Sequence, residues 1–209
     1  MIYLYSGLPG SGKSYHVARD IRDGRIARSR VYICNFPVSV EGVFQLPASN
    51  IKVQDVMRVR SDWVAAHGEP YEGQIKLIID EAQLVFNSRD WNTEGRRDWL
   101  TFFTQHRKLG FDVILIAQDM SMLDKQIRSL VEIECRHYKL NNFGMAGWFL
   151  SLLTFGQTFI HAMYRVASTK GNAGKIGSEY MRVKRKVYDV YDTNNLFGSD
   201  LAKSAHRQE

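Results

Sequence analysis

Residues Gly7–Ser14 read GLPGSGKS, directly after the apolar run Ile2–Tyr5 and at the head of a helix-compatible stretch running from Lys13 to about Arg22. Gly7, Gly12, Lys13 and Ser14 match the spacing G-x-x-x-x-G-K-[ST], which folds as strand, phosphate-binding loop and helix. The glycines let the backbone turn so that successive N–H groups face inward and make an anion nest at a helix N-terminus. Lys13 is expected to reach the β and γ phosphates of a nucleotide, and the Ser14 hydroxyl to ligate Mg²⁺. The expected nucleotide contacts are Gly7, Leu8, Pro9, Gly10, Ser11, Gly12, Lys13, Ser14 and Tyr15.

Such a loop needs a parallel sheet behind it. Ile2–Tyr5, Val31–Asn35, Ile75–Asp80 and Val113–Ala117 are apolar, rich in β-branched or aromatic residues and of the length of buried parallel strands. Helices are expected near Gln54–Ala66 and over Asp98–Lys108, where Trp99, Leu100, Phe102 and Phe103 make an apolar stripe and Gly110 ends the run. After Ile133 the runs lengthen and alternate, and Ile133–Leu140, Phe159–Val166 and Met181–Tyr191 read as antiparallel edge strands. Ser168–Ser178, with three glycines, reads as a flexible loop. The fold class is therefore α/β, a P-loop NTPase with a mainly parallel central sheet, flanking helices and antiparallel edge strands in the C-terminal third. At 209 residues the chain has room for one main domain, taken as 1–197, with 198–209 a polar, flexible tail.

Composition narrows the setting only a little. The 28 basic residues, set against 22 acidic ones for a net charge of +6, are spread along the chain and permit nucleic-acid or acidic-membrane contact without requiring it. Arg22, Arg25, Arg28 and Arg30 form one basic group, and Arg182, Lys184, Arg185 and Lys186 another, the second near Tyr180, Tyr188 and Tyr191. Either group reads as a phosphate-backbone contact or as a solvated edge, and the tyrosines are assigned to the edge strand. Cys34 and Cys135 sit in apolar runs without metal-ligand spacing, as buried thiols of a reducing compartment do. The N-terminus enters a core strand at once, so no secretory signal is expected. From Leu140 to Tyr164 there is no Asp, Glu, Lys or Arg. A hairpin packed on the sheet and a membrane-surface or partner-binding segment both account for that stretch.

A second acidic motif separates classes of nucleotide enzyme. Lys76-Leu77-Ile78-Ile79-Asp80-Glu81 delivers two adjacent carboxylates to the C-terminal end of a strand, where open α/β sheets place their ligands. Asp80 is the expected Mg²⁺ partner and Glu81 the group that polarises the attacking water. Gln118, leaving the strand Val113–Ala117, is placed to sense the γ-phosphate, or else to cap backbone groups at the strand end. A transition-state arginine is sought among Arg89, Arg96, Arg97, Arg107 and Arg128, with Arg107 favoured by its place before the sensor strand. A small-molecule kinase would need a mobile basic lid and no water-activating Glu81, and no lid is evident; a nucleotide-gated binding module remains a third class.

The start MIYLYSGLPGSGKS, the carboxylate motif LIIDEAQ, the run FFTQHRKLGFDVILIAQD and the late VYDVYDTNN together resemble the zonula occludens toxin family, whose members include the filamentous-phage assembly ATPases. The resemblance spans Met1 to about Asn195. It implies the cytoplasmic ATPase domain of an inner-membrane assembly protein that uses ATP and Mg²⁺ to drive extrusion of single-stranded phage DNA. Its partners would be phage assembly proteins, DNA or a DNA–protein complex and the host inner membrane, and its working form a homo-oligomeric ring at the cytoplasmic face. Gly7–Ser14, Asp80, Glu81 and Gln118 carry over residue by residue, and Arg107 with them. Family members usually continue into a transmembrane helix, whereas this sequence stops at Glu209 after a polar stretch, so an anchor is expected to be missing from it.

Overall fold

The strand that carries the loop is one of the two innermost of an eight-stranded sheet ordered β3-β2-β4-β5-β1-β6-β7-β8. The computed structural model describes residues 1–28, 30–48, 51–87, 95–139, 158–166 and 174–184, with Val187 and Val190. Its strands are β1 (Ile2–Ser6), β2 (Val31–Cys34), β3 (Val43–Gln45), β4 (Ile75–Ile79), β5 (Phe111–Ile116), β6 (Ile133–Lys139), β7 (Thr158–Arg165) and β8 (Gly174–Arg182). The helices are α1 (Lys13–Arg28), α2 (Val53–His67), α3 (Ala82–Val85), α4 (Arg96–Gln105) and α5 (Lys125–Leu130). The sheet from β3 to β6 is parallel throughout, and β7 runs antiparallel to both β6 and β8.

Central strands covered on both faces run nearly continuously apolar, and all five residues of β4 are buried, Lys76 among four aliphatic neighbours. Ile2 and Leu4 of β1 face one core, filled by Val56 of α2, Phe86, Trp99, Phe102 and Phe103 of α4 and Ile127 of α5. Their neighbour Tyr5 faces the other, where Val17, Ala18 and Ile21 of α1 pack with Ile78, Ile114 and Cys135. The rings of Phe86, Trp99, Phe102, Phe103 and Phe111 form a network with centroids 5.1 to 5.7 Å apart, edge-to-face except for Trp99 stacked on Phe103, arrangements that their quadrupoles favour. Cys34 and Cys135 are free and buried. Burial pushes both thiols up, that of Cys135 to about 12, which keeps them protonated.

Three expectations are corrected. β6 is parallel to β1, not an antiparallel edge strand, because the chain returns through α5 as a crossover, and a crossover brings a strand back in the same direction. The last strand starts at Gly174, inside the stretch read as a glycine-rich loop, and ends at Arg182. Gly177 pairs with Met163 where the β7–β8 register shifts, the kind of irregularity a glycine inside a strand accommodates. Helix α1 continues past Arg22 to Arg28. The short β3 and α5 were not expected, being too brief and too polar to show a period. Of the uncharged stretch, 140–157 and the tail 198–209 lie outside the described residues, while Thr158–Tyr164 belong to β7, paired on both sides. Among the described residues no helix is long and apolar enough to cross a membrane.

Candidate nucleotide site

The loop Gly7–Gly12 connects the C-terminal end of β1 to α1, as its spacing requires. It is pinned from below: the Gly7 N–H donates to the Gln118 carbonyl at 3.1 Å, and the Ser11 N–H to the Leu8 carbonyl at 3.1 Å. Two glycines are obligatory. A Cβ on Gly7, whose φ is +141°, would stand 2.5 Å from the His137 carbonyl oxygen, and one on Gly12, at φ +95°, 2.5 Å from the Phe159 ring. Both are backbone conformations that L side chains rarely adopt, so substitution meets strain and collision together.

Lys13 folds back over the loop it closes. Its Nζ donates to the Gly7 carbonyl at 2.7 Å and the Leu8 carbonyl at 3.1 Å, holding the ammonium over the nest. Partial burial lowers its pKa from 10.5, against the opposing pull of the Asp80 and Glu81 carboxylates. The hydroxyl of Ser11 is buried without a hydrogen-bond partner in a cleft of about 560 Å³, whose lining includes Gly7, Leu8 and Gln118. A buried hydroxyl left unsatisfied costs about 1–3 kcal/mol, which a ligand entering the cleft would recover.

The carboxylates leave β4, separated from β1 by β5 alone. Asn35, buried at the end of β2, grips Asp80 from both sides: its Nδ2 donates to the Asp80 carbonyl at 3.1 Å, and the Asp80 N–H donates to its Oδ1 at 2.7 Å. Asp80 Oδ1 accepts the Glu81 N–H at 2.8 Å. Glu81 has φ +48°, and is the one non-glycine residue with positive φ among the described residues. Strain of this kind costs about 1–3 kcal/mol and persists where the surroundings over-determine it, characteristically at functional sites. The Glu81 carboxylate accepts a hydrogen bond from Gln83 Nε2. Gln118 lines the cleft, and its backbone carbonyl anchors the loop by accepting the Gly7 N–H.

Two expected residues are placed elsewhere. Arg107 follows α4 at the strands' N-terminal end, away from the loop, and is ion-paired with Glu132, with Glu72 at 3.8 Å. It is not brought to the phosphate loop of its own chain, because β5 spans the sheet between it and Gln118. The Tyr15 side chain is buried, its hydroxyl donating to the Arg182 carbonyl at 3.1 Å and accepting the Lys184 N–H at 2.9 Å. It ties β8 to α1. Arg128, by contrast, lines the cleft, and so do Glu134 and Arg136, which the sequence reading passed over. Glu134 accepts from Ser6 Oγ at 2.8 Å and pairs with Arg136 at 2.9 Å. Their only signal is charge alternating with Cys135 and His137 in the sequence of β6. Asn35 had a comparable signal, an amide ending an apolar strand. Of the remaining arginines, Arg96 donates to Gln126 at 2.8 Å, Arg97 is exposed and Arg89 lies outside the described residues. In the basic groups Arg22 pairs with Asp23 at 2.7 Å, Tyr180 is an exposed residue of β8, and Arg185 and Lys186 lie outside the described residues.

The sequence model of the zonular occludens toxin (Zot) family matches residues 1–196. The Gene 1 protein of Enterobacteria phage M13 is 25% identical over 213 residues, covering 95% of this chain and 61% of that protein. The Gene 1 protein of Salmonella phage IKe is 31% identical over 129 residues, covering 59% of this chain and 35% of its own length. The chain thus spans about three-fifths of the length of the first of these relatives. Among solved structures, the N-terminal domain of zonular occludens toxin from Neisseria meningitidis superposes with a TM-score of 0.57 at 18% identity, covering 91% of this chain and 98% of that one. The genome packaging NTPase B204 from Sulfolobus turreted icosahedral virus 2, in complex with ATP-gammaS, superposes at 0.50 with 15% identity, covering 87% and 96%. These two likenesses are of fold. The match over residues 1–196 is what decides kinship: the chain belongs to the zonular occludens toxin family.

Proposed function

We propose that the chain is the nucleotide-hydrolysing motor domain of a phage assembly machine, using ATP to drive extrusion of single-stranded phage DNA across the inner membrane of a bacterial host. The observation that carries this reading is the Asp80–Glu81 pair, clamped by Asn35 at the end of β4 and felt electrostatically by Lys13 of the phosphate loop. The phage Gene 1 relatives support the assembly role, and the packaging NTPase that shares the fold was solved with an ATP analogue.

In this reading the N–H groups of Gly10, Gly12, Lys13 and Ser14 bind the phosphates while those of Gly7 and Ser11 hold the shape of the loop, and Lys13 exchanges its two loop carbonyls for the β and γ oxygens. The Ser14 hydroxyl and Asp80 carboxylate, both hard oxygen donors, suit Mg²⁺, which when bound there would neutralise charge on the β and γ phosphates. Glu81 orients and polarises water for attack on the γ-phosphate, its side chain directed by the left-handed backbone at that position. Gln118 senses the γ-phosphate from the neighbouring strand end. The working form is a homo-oligomeric ring at the cytoplasmic face of the inner membrane, with phage assembly proteins and single-stranded DNA as partners. The transition-state arginine in this form is Arg128 or one supplied by the adjoining subunit.

The test is steady-state phosphate release from ATP and Mg²⁺ without an acceptor, for the wild type and Glu81→Gln at matched nucleotide occupancy, on the assembled oligomer. Turnover by wild type with binding but no turnover by Glu81→Gln is expected. Equal rates would remove Glu81 from the chemistry, and inactivity of the assembled wild type would favour a kinase or a nucleotide-gated binding module.

A further inference from the structure

Behind the phosphate loop, three histidines from three separate elements meet under α1. His137 of β6 and His161 of β7 are register partners. Strand alternation places them on the same face as Tyr5 and Cys135, which α1 covers. His16, in the first turn of α1, stacks between Tyr5 at 4.6 Å and His161 at 4.3 Å. Each ring offers one nitrogen, and these nitrogens lie within 4.8 Å of one another.

The surrounding hydrogen bonds assign the ring protons. His137 Nδ1 lies 2.9 Å from the Cys135 carbonyl and 3.3 Å from that of Ser6, both acceptors, so Nδ1 carries the proton and Nε2 a lone pair. That lone pair faces His16 Nδ1 at 2.9 Å. His161 Nε2 stands 3.6 Å from a Glu179 carboxylate oxygen, beyond hydrogen-bond reach but near enough to favour the proton on that side, and its buried Nδ1 has no hydrogen-bond partner. The His137 ring is thus fixed by carbonyls behind it in the manner of metal-ligating histidines, and a carboxylate stands behind His161. Burial lowers the pKa of His161 and that of His137, the latter to about 3, which favours the neutral rings that donate lone pairs. An apolar packing role would leave the His161 nitrogen orphaned at a cost; a cation removes that cost.

We propose that His16, His137 and His161 form a binding site for a divalent first-row transition ion of the zinc class, with a fourth position left to water. Three neutral imidazoles suit zinc, nickel or copper, not the hard magnesium ion of the phosphate site. Tetrahedral coordination at about 2.0–2.1 Å sets nitrogens about 3.3 Å apart, so His16 and His137 must part slightly while His161, stacked on His16 at 4.3 Å, turns out of that stack to bring its nitrogen in the ring plane to the ion. The His16 proton passes from Nδ1 to Nε2, and no proton is released. The ion would cross-link the helix that begins with Lys13 and Ser14 to two strands beyond β1. Metal occupancy would thereby set how firmly the phosphate loop is backed.

The probes are Zn²⁺ by calorimetry and Co²⁺ by visible absorption on the whole chain, after stripping with chelator. One equivalent with micromolar or tighter affinity is expected, with the strong visible bands of four-coordinate Co²⁺. At a hundredfold excess over Kd, Zn²⁺ should raise Tm by about 5–10 °C. His161→Ala and His137→Gln should each weaken binding at least tenfold, with folding verified by circular dichroism, while His67→Ala leaves it unchanged. If the variants fail to fold, the wild-type Co²⁺ spectrum decides. Weak six-coordinate bands, no saturable binding, or affinity undiminished in folded His161→Ala and His137→Gln would each overturn the site.

Discussion

Lys76 is a lysine in the middle of a central strand, and its ammonium lies 2.7 Å from Asp20 Oδ2 on α1, with side chains 10% and 25% exposed respectively. Removing one partner of such a pair leaves the other charge desolvated and unpaired. For fully buried pairs that costs about 3–5 kcal/mol, whereas replacing both partners by apolar groups is often near neutral. Because Asp20 retains access to water, Lys76→Met should cost less, about 1–2 kcal/mol, and Asp20→Leu, which strands the more buried ammonium, about 2–4 kcal/mol. The double variant should lose less than the sum, giving a coupling of about 1–3 kcal/mol. For a chain of this size each kcal/mol moves Tm by about 2–4 °C, so Asp20→Leu should melt about 4–16 °C below wild type. Urea denaturation of the four proteins completes the cycle, with m values checked for constancy. Additivity within about 0.5 kcal/mol would show that the two charges do not interact and refute the reasoning. Because the pair is largely shielded from solvent, its coupling should also survive 0.5 M salt, which a surface pair would not.

Gly7→Ala should abolish nucleotide binding by calorimetry and cost about 1–3 kcal/mol in stability, since both the positive φ and the His137 carbonyl exclude a methyl group. Phe103→Ala, opening a cavity at the centre of the aromatic network, should lose about 3–5 kcal/mol in urea denaturation. Arg107→Ala should leave phosphate release unchanged and cost less than about 1 kcal/mol, because its ion pairs are partly exposed and remote from the loop; a hundredfold loss of turnover would reinstate it as a finger. Burial holds His106 below its ordinary value of 6.5, so the unfolded chain takes up a proton at this position before the folded chain does. Stability from this residue is complete above pH 6.5 and is lost as pH falls through that value toward the lower folded one, a slope that His106→Gln should flatten in denaturation curves at pH 7.5 and 5.5.

The loop and the four parallel strands around it were legible in the amino-acid order because their determinants are local. Glycine spacing specifies a backbone path, and an unbroken apolar run such as Leu77–Ile79 specifies a strand covered on both faces. The carboxylates followed from their place at the end of such a run. Long-range packing decided what lies between distant segments. The same alternating pattern suits a parallel or an antiparallel strand, so the direction of β6 rested on a crossover through a helix of six polar-rich residues. Arg107 and Gln118 are eleven residues apart in sequence, yet β5 puts the length of the sheet between them. Asn35 reached Asp80 only because β2 lies beside β4. His16, His137 and His161 carry no spacing that announces a site, and it took a β6–β7 register and the docking of α1 to bring their nitrogens within 4.8 Å. Local spacing can specify a turn or a strand, but which side chains meet across the sheet depends on strand order and register, which are properties of the whole chain.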